Sequence, residues 1–276
     1  MYENHLIIGA TGKTGSRVAS RLQKLGYKLK LAARKAEVYF DWSHSSTWAP
    51  AMNGIDAIYA TYFPDLAMPQ AKGDILALCQ IAKQNGVRHI TLLSGRGEKA
   101  AQECEQILQD SGLSWTIVRA SWFNQNFSEG LFTQFILDRK LSLPVGHVKE
   151  PFIDVDDIAD VVVASLTQEG HSGQLYEVTG PELLNFQQLA DLFSKQLGER
   201  VEFEQISMQQ FQQNLQALGV DGDTIGMLTY LFNEVLDGRN EYRCAGVHQA
   251  LGRPANSFKQ FIAGNLECFM PADVSA

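Results

Sequence analysis

Cysteine is scarce in this chain, and the four present, Cys79, Cys104, Cys244 and Cys268, lie far apart. No C-x-x-C pair and no zinc-ligand spacing occurs, so nothing indicates a disulfide scaffold or a structural metal, and the thiols read as reduced. Positive charge is also short. The 23 Lys and Arg stand against 31 Asp and Glu, for a formal charge of −8, which opposes binding a polyanion such as nucleic acid through bulk charge. No apolar run approaches the length of a membrane span. Strand-like residues begin by His5, leaving no space for a charged, apolar and cleavage-site succession, so the expected address is cytoplasmic.

Several catalytic signatures are missing too. There is no G-x-S-x-G elbow for a serine hydrolase. The six histidines (His5, His44, His89, His147, His171 and His248) show no i,i+4 pairing and no neighbouring cysteine set, which leaves metal catalysis unsupported. Repeats, low-complexity tracts and flexible linkers are absent. A chain of 276 residues that is 45% hydrophobic can nevertheless bury a sizeable core without any staple.

What is present is alternation. Short β-branched apolar runs at His5 to Ile8, Lys28 to Ala33, Val38 to Phe40, Ala57 to Ala60, His89 to Leu93 and Trp115 to Val118 alternate with helical patterns. Val18, Ala19, Leu22 and Leu25 recur at helical spacing before Gly26. Further helices are expected from about Gln70 to Gln84 and from Lys99 to Gln109, each ended by an Asn-Gly or Ser-Gly stop. Such alternation predicts α/β architecture: a Rossmann doubly wound parallel sheet of six strands over residues 1–150. After Pro151 the rhythm changes, with a helix over Asp154 to Leu166, a strand over Gln174 to Thr179 and a helix capped by Asn185. These predict a smaller carboxy-terminal α/β lobe over residues 151–276, resembling a lid. Asp221 to Asp237, dense in bulky apolar groups, suits a helix beside a pocket or an ordinary core helix equally.

The first strand runs directly into Gly9-Ala10-Thr11-Gly12-Lys13-Thr14-Gly15 and then a helix. Backbone N–H groups and the positive end of the helix dipole at such a turn favour a phosphate. Gly9 permits the tight turn, Gly12 lets the backbone approach a pyrophosphate, and Gly15 lets helix and strand pack closely. The rival is a P-loop, suggested by Gly12-Lys13-Thr14, but that motif needs a glycine where Ile7 stands. At the end of the second strand, where an acid would hold the ribose 2′-hydroxyl of NAD, the chain reads Ala32-Ala33-Arg34-Lys35. A guanidinium can grip a 2′-phosphate, so Arg34, with Lys13, argues for NADP(H). The alternative is that Arg34 and Lys35 form a solvated turn.

Ile7 to Val18, with Phe40-Asp41-Trp42, Leu113 to Arg119 and Trp122-Phe-Asn-Gln-Asn-Phe127, resembles the NmrA-like branch of atypical short-chain dehydrogenases. Pro151 to Ala159, Thr179 to Leu184 and Leu251-Gly-Arg-Pro254 extend the likeness over nearly the whole chain. Within that branch it is most similar to ergot-alkaloid reductase-like and quinone reductase-like proteins. The resemblance implies NADP(H) binding and a substrate cleft between the Rossmann domain and the smaller lobe. By position it assigns Ala60, Thr61 and Tyr62 after the fourth strand, Ser94 at the end of the fifth, and Ser121, Trp122 and Phe123 after the sixth to the ribose and nicotinamide. Trp122 and Phe123 serve equally well as core residues. Asp41 can touch the adenine in this family, although a loop carboxylate facing water is the simpler reading.

Short-chain dehydrogenases usually carry Tyr-x-x-x-Lys to protonate a carbonyl oxygen. Here Tyr59, Tyr62, Tyr176 and Tyr230 are followed four positions on by Phe63, Leu66, Gly180 and Glu234. Where quinone reductase-like relatives carry a histidine, this chain has Ala101, while Glu105 keeps a later acidic position. No standard proton donor carries over, so the catalytic residue is left unassigned. The expectation is an NADPH-dependent reductase of a conjugated or cationic small molecule, of quinone or iminium type, with Tyr62, Trp122, Phe123 and Tyr230 as wall residues. The rival is a non-catalytic NADP(H) redox-sensing regulator of the NmrA type. A small-molecule substrate is the expected partner, without nucleic acid or membrane; a homodimer, or a partner protein under the regulatory reading, stays open.

Overall fold

The structure is a computed structural model and describes residues 2–270. Nine strands occur among them: β1 (Asn4–Ile8), β2 (Lys28–Ala33), β3 (Val38–Tyr39), β4 (Ala57–Ala60), β5 (His89–Gly95), β6 (Ser114–Ala120), β7 (Lys140–Leu143), β8 (Gln174–Val178) and β9 (Glu202–Gln205). Seven form one sheet in the order β3-β2-β1-β4-β5-β6-β8, with every neighbouring pair parallel. Leu6, Ile7 and Ile8 of β1 and all of β4 are buried, as expected where helices cover both faces of a parallel sheet. The Lys13–Lys24, Ala71–Gln84 and Lys99–Gln109 helices connect successive strands. No helix among the described residues is long and apolar enough to cross a membrane.

The chain divides into two compact units. The first comprises Met1–Ala120, Val155–Thr179 and Cys244–Ala255, and holds the seven-stranded sheet. This division falls elsewhere than at residue 150 and crosses the chain several times. The sheet has seven strands rather than six because β8, expected in the smaller lobe, pairs in parallel with β6. The Val155–Thr167 helix belongs to the same unit rather than to a lid. Ile158, Ala159, Val161, Val162, Val163, Ala164 and Leu166 are buried, so it presents apolar groups on more than one side and is stable only between other elements. Asp156 and Asp160 tie it to Arg21 of the Lys13–Lys24 helix at 2.6 and 2.7 Å.

The second unit comprises Ser121–Asp154, Gly180–Arg243 and Asn256–Ala276. β7 and β9 form a parallel pair of their own. Around them the Leu131–Leu137, Phe186–Leu197, Met208–Ala217 and Phe258–Gly264 helices enclose a core rich in phenylalanine. Phe127 lies at its centre, with ring centroids 5.7 to 6.1 Å from Phe132, Phe152, Phe193 and Phe258. Asn185 caps its helix as expected, accepting from the Gln188 N–H at 2.9 Å. The stretch from Asp221 to Asp237 is not one continuous α-helix. Asp221 caps Gly222–Tyr230, and Leu231–Val235 then widens into a π-helical turn.

Candidate functional site

In a parallel sheet the carboxyl ends of the strands share one edge, and ligands bind there. In the first unit this edge begins with the glycine turn. Gly9 adopts φ +81° and donates its N–H to the Ala32 carbonyl at 2.9 Å, so β1 turns sharply while still tied to β2. A Cβ on Gly9 would collide with Thr61 Oγ1, and one on Gly15 would collide with the Gly9 carbonyl oxygen. Both glycines are therefore needed for packing. Gly12 is exposed and supplies no side-chain cap to the Lys13–Lys24 helix, whose first turn also lacks an acid. A helix start left without a capping oxygen suits an anion. Thr11 is exposed beside it, and Lys13 and Thr14 open the helix, with Thr14 buried.

Arg34 lies just beyond β2. Its side chain is exposed, and the guanidinium carbon sits 4.5 Å from the centroid of the Phe63 ring, a cation–π arrangement that orients the planar fork without consuming its donors. Next to this edge Phe40, Trp42, Trp48 and Tyr62 form a contiguous aromatic group, with Trp42 and Tyr62 centroids 4.6 Å apart. The Trp42 indole N–H donates to the Thr61 carbonyl at 3.0 Å, and Thr61 Oγ1 donates to the Ile8 carbonyl at 3.1 Å. The segment Ala60-Thr61-Tyr62 is thus fixed against β1. The Tyr62 hydroxyl donates to Asp74 at 2.6 Å. Burial first, then the Asp74 bond and its charge, push the phenol well above its usual range, so it is no ready acid. Asp41 closes a local turn by accepting from the Ser43 hydroxyl and N–H, bonds that hold its carboxyl down to about 2.

Farther along the edge, side chains from β5 and the loop after it, β6, β8 and the Lys99–Gln109 helix form one partly buried ionic chain. Ser94 donates to Glu105 at 2.6 Å, and Arg119 donates to the same oxygen at 2.9 Å. Arg119 also reaches Glu177 at 3.5 Å, and Glu177 accepts from Arg96 at 2.6 Å. Register explains the assembly, since Ser94 faces Arg119 and Arg119 faces Glu177 across adjacent strands. Glu105, 2% exposed, is thereby neutralised, and the Ser94 hydroxyl is committed to it. Ala101 is buried in the core.

The site contains a buried carboxyl that motif reading passed over. β5 ends at Gly95, Gly97 takes φ +80°, and Glu98 stands at the N-cap of the Lys99–Gln109 helix. An acid there ordinarily accepts the helix's first N–H groups, but Glu98 makes no such bond. Its carboxyl instead folds back over Gly95, where an added Cβ would collide with Oε1. Glu98 is 5% exposed and its Oε2 is buried without a hydrogen-bond partner. Burial foremost, then the adjacent Asp65 charge, raise the Glu98 carboxyl to about 9. A glutamate one residue ahead of a helix looks like an ordinary cap, so no local signal marks it.

Trp122, Phe123 and Tyr230 belong to the second unit, whereas Tyr62 belongs to the first. The Trp122 ring packs on Phe232 at 5.4 Å, with Phe132 and Phe186 farther out. Phe123 bridges to Ile153. Tyr230 is 37% exposed at the last position of its helix.

Carboxyl-edge glycine turn, parallel sheet and strand order together define a Rossmann chain of the NAD(P)-binding type. It belongs to the NmrA-like family, which it matches over residues 98–258. An uncharacterized oxidoreductase, YesF, of Bacillus subtilis is 30% identical, with 94% of each chain covered. An NAD(P)H azoreductase of Xenophilus azovorans is 29% identical, covering 96% of this chain and 98% of that protein. Among solved structures, the NADPH complex of the Escherichia coli NADPH-dependent quinone oxidoreductase QOR2 superposes with a TM-score of 0.79, at 19% identity, over 95% of this chain and 99% of that one. At that identity it attests the fold.

Proposed function

We propose that this chain binds NADP(H) along the carboxyl edge of the first unit and reduces a small, electron-poor organic acceptor. The observation that carries the reading is the combination of an uncapped, acid-free helix start after Gly12 with the Arg34 guanidinium spread over Phe63 where an NAD-preferring chain would carry an acid. Gly9, Thr11, Gly12, Lys13, Thr14 and Gly15 hold the pyrophosphate, and Arg34 holds the 2′-phosphate. Ala60, Thr61, Tyr62 and Ser94 border the ribose and nicotinamide. Bound NADPH supplies a hydride from its reduced ring. The protein's part is to position the acceptor and keep water from the reacting centre. Kinship with an azoreductase supports an acceptor of conjugated type.

Titration with NADPH and NADH tests the cofactor assignment. A charge-assisted guanidinium–phosphate bond is worth about 1.5 kcal/mol at an exposed site, so Arg34→Ala should weaken NADPH roughly tenfold and leave NADH unchanged. Equal losses for both would remove the assignment. A panel of quinones, azo compounds and cyclic iminium ions that elicits no NADPH oxidation would refute the reductase reading.

A further inference from the structure

Arg34 follows the last residue of β2, and Phe63 stands three residues past the end of β4. β1 lies between those two strands in the sheet. Neighbouring strands are spaced by about 4.8 Å, so β2 and β4 are roughly 10 Å apart. The Arg34 guanidinium carbon is nevertheless 4.5 Å from the Phe63 ring centroid. The two side chains therefore meet across the end of β1, where the glycine turn begins. The geometry points to Phe63 as a positioning residue that holds Arg34 in place there and so makes the site prefer a nucleotide bearing a 2′-phosphate. This rests on the NADP(H) reading and deepens it, since selectivity then belongs to a cation–ring pair rather than to a lone cation.

Arg34 is the guanidinium left for a ligand. Every other arginine among the described residues pairs with a carboxylate or a carbonyl. Arg34 has no hydrogen bond or ion pair among those residues, and its contact is with the ring. A ring face attracts the cation through its quadrupole, while the N–H groups lie in the guanidinium plane and stay available. An arginine without such a contact samples many rotamers, and ordering it on a phosphate costs free energy. Phe63 removes part of that cost before the nucleotide arrives.

The ring can act in this way because the chain beneath it is fixed. Thr61 is bonded to the Ile8 carbonyl of β1 and to the Trp42 indole. Tyr62 is buried, packed on Trp42 and hydrogen-bonded to Asp74. Phe63 itself is 60% exposed, so its position is not explained by burial in the core. The ring carries no charge and no hydrogen-bonding group, so it distinguishes a ribose phosphate from a hydroxyl only through Arg34.

Calorimetric titration of the full chain with 2′,5′-ADP and with 5′-AMP, which differ by the 2′-phosphate alone, tests the inference without requiring turnover. Phe63→Leu keeps an apolar side chain but removes the ring; it should weaken 2′,5′-ADP about two- to fivefold and leave 5′-AMP unchanged. Phe63→Tyr should keep the wild-type values for both. In an Arg34→Ala background, Phe63→Leu should have no further effect, because the group through which it acts is gone. Wild-type binding of 2′,5′-ADP by Phe63→Leu overturns the inference, as does a loss in Phe63→Tyr as large as that in Phe63→Leu. Equal losses for the two nucleotides, or a loss that persists beside Arg34→Ala, also overturn it, since the ring would then touch the nucleotide itself. If Arg34→Ala leaves the preference for 2′,5′-ADP unchanged, the NADP(H) assignment fails instead, and the role of Phe63 with it.

Discussion

The buried histidine that opens β5 gives the sharpest stability prediction. His89 is 1% exposed; Nδ1 lies 2.7 Å from Ser114 Oγ and Nε2 lies 3.1 Å from Thr91 Oγ1. Desolvation first, then the His171 and His5 charges, lower it from 6.5 to about 4. A base depressed in the folded state is neutral there while the unfolded chain is already protonated. Its stabilising effect is therefore complete above pH 6.5 and is lost as pH falls toward 4. At about 1.4 kcal/mol per tenfold in proton affinity, the loss amounts to about 3 kcal/mol, most of it reached by about pH 4.5. His5 and His171 are lowered by burial and act in the same direction. Glu98 acts in the opposite one: raised to about 9, it favours the folded state increasingly as pH falls toward 4.5. The wild-type curve alone therefore hides the effect, and the comparison with His89→Asn isolates it. Urea unfolding of both proteins at about pH 7 and about pH 4.5 should show the wild type's advantage shrinking by about 3 kcal/mol. An advantage that is the same at both pH values would refute the buried neutral imidazole.

Two further predictions concern the carboxyl edge. Gly15→Ala drives a Cβ into the Gly9 carbonyl and within 3.1 Å of Ala10 Cα; because both are backbone, the variant should lose about 1–3 kcal/mol in thermal unfolding and bind NADPH poorly. Wild-type values in both measurements would show the turn to be looser than described. Arg119→Ala leaves Glu105 buried with only the Ser94 hydroxyl, which should cost about 3 kcal/mol, whereas Arg119→Met combined with Glu105→Leu should recover part of it. A double variant no better than the single one would mean that the pair's role is steric.

The first unit was legible wherever information is local. β2, β4 and the Lys99–Gln109 helix fall on the bounds read from periodicity and stop signals. β5 and β6 extend one or two residues past the expected runs, to Gly95 and Ala120, because neighbouring-strand pairing continues through residues of weak strand propensity. The Val155–Thr167 helix and β8 were read with the correct type and nearly the correct length but attached to the wrong part. Their pattern records that they are buried and says nothing of what buries them.

The sequence by itself determined the α/β alternation, the glycine turn and the cation at the end of β2, since each depends on residues within a few positions of one another. Only the tertiary structure decided that Trp42 pins Thr61, that Ser94 is bound into the Glu105–Arg119–Glu177 chain, and that Glu98 abandons its helix for Gly95. Those outcomes follow from register between strands distant in sequence, and from desolvation, which changes a carboxyl's chemistry only once the surrounding chain has excluded water.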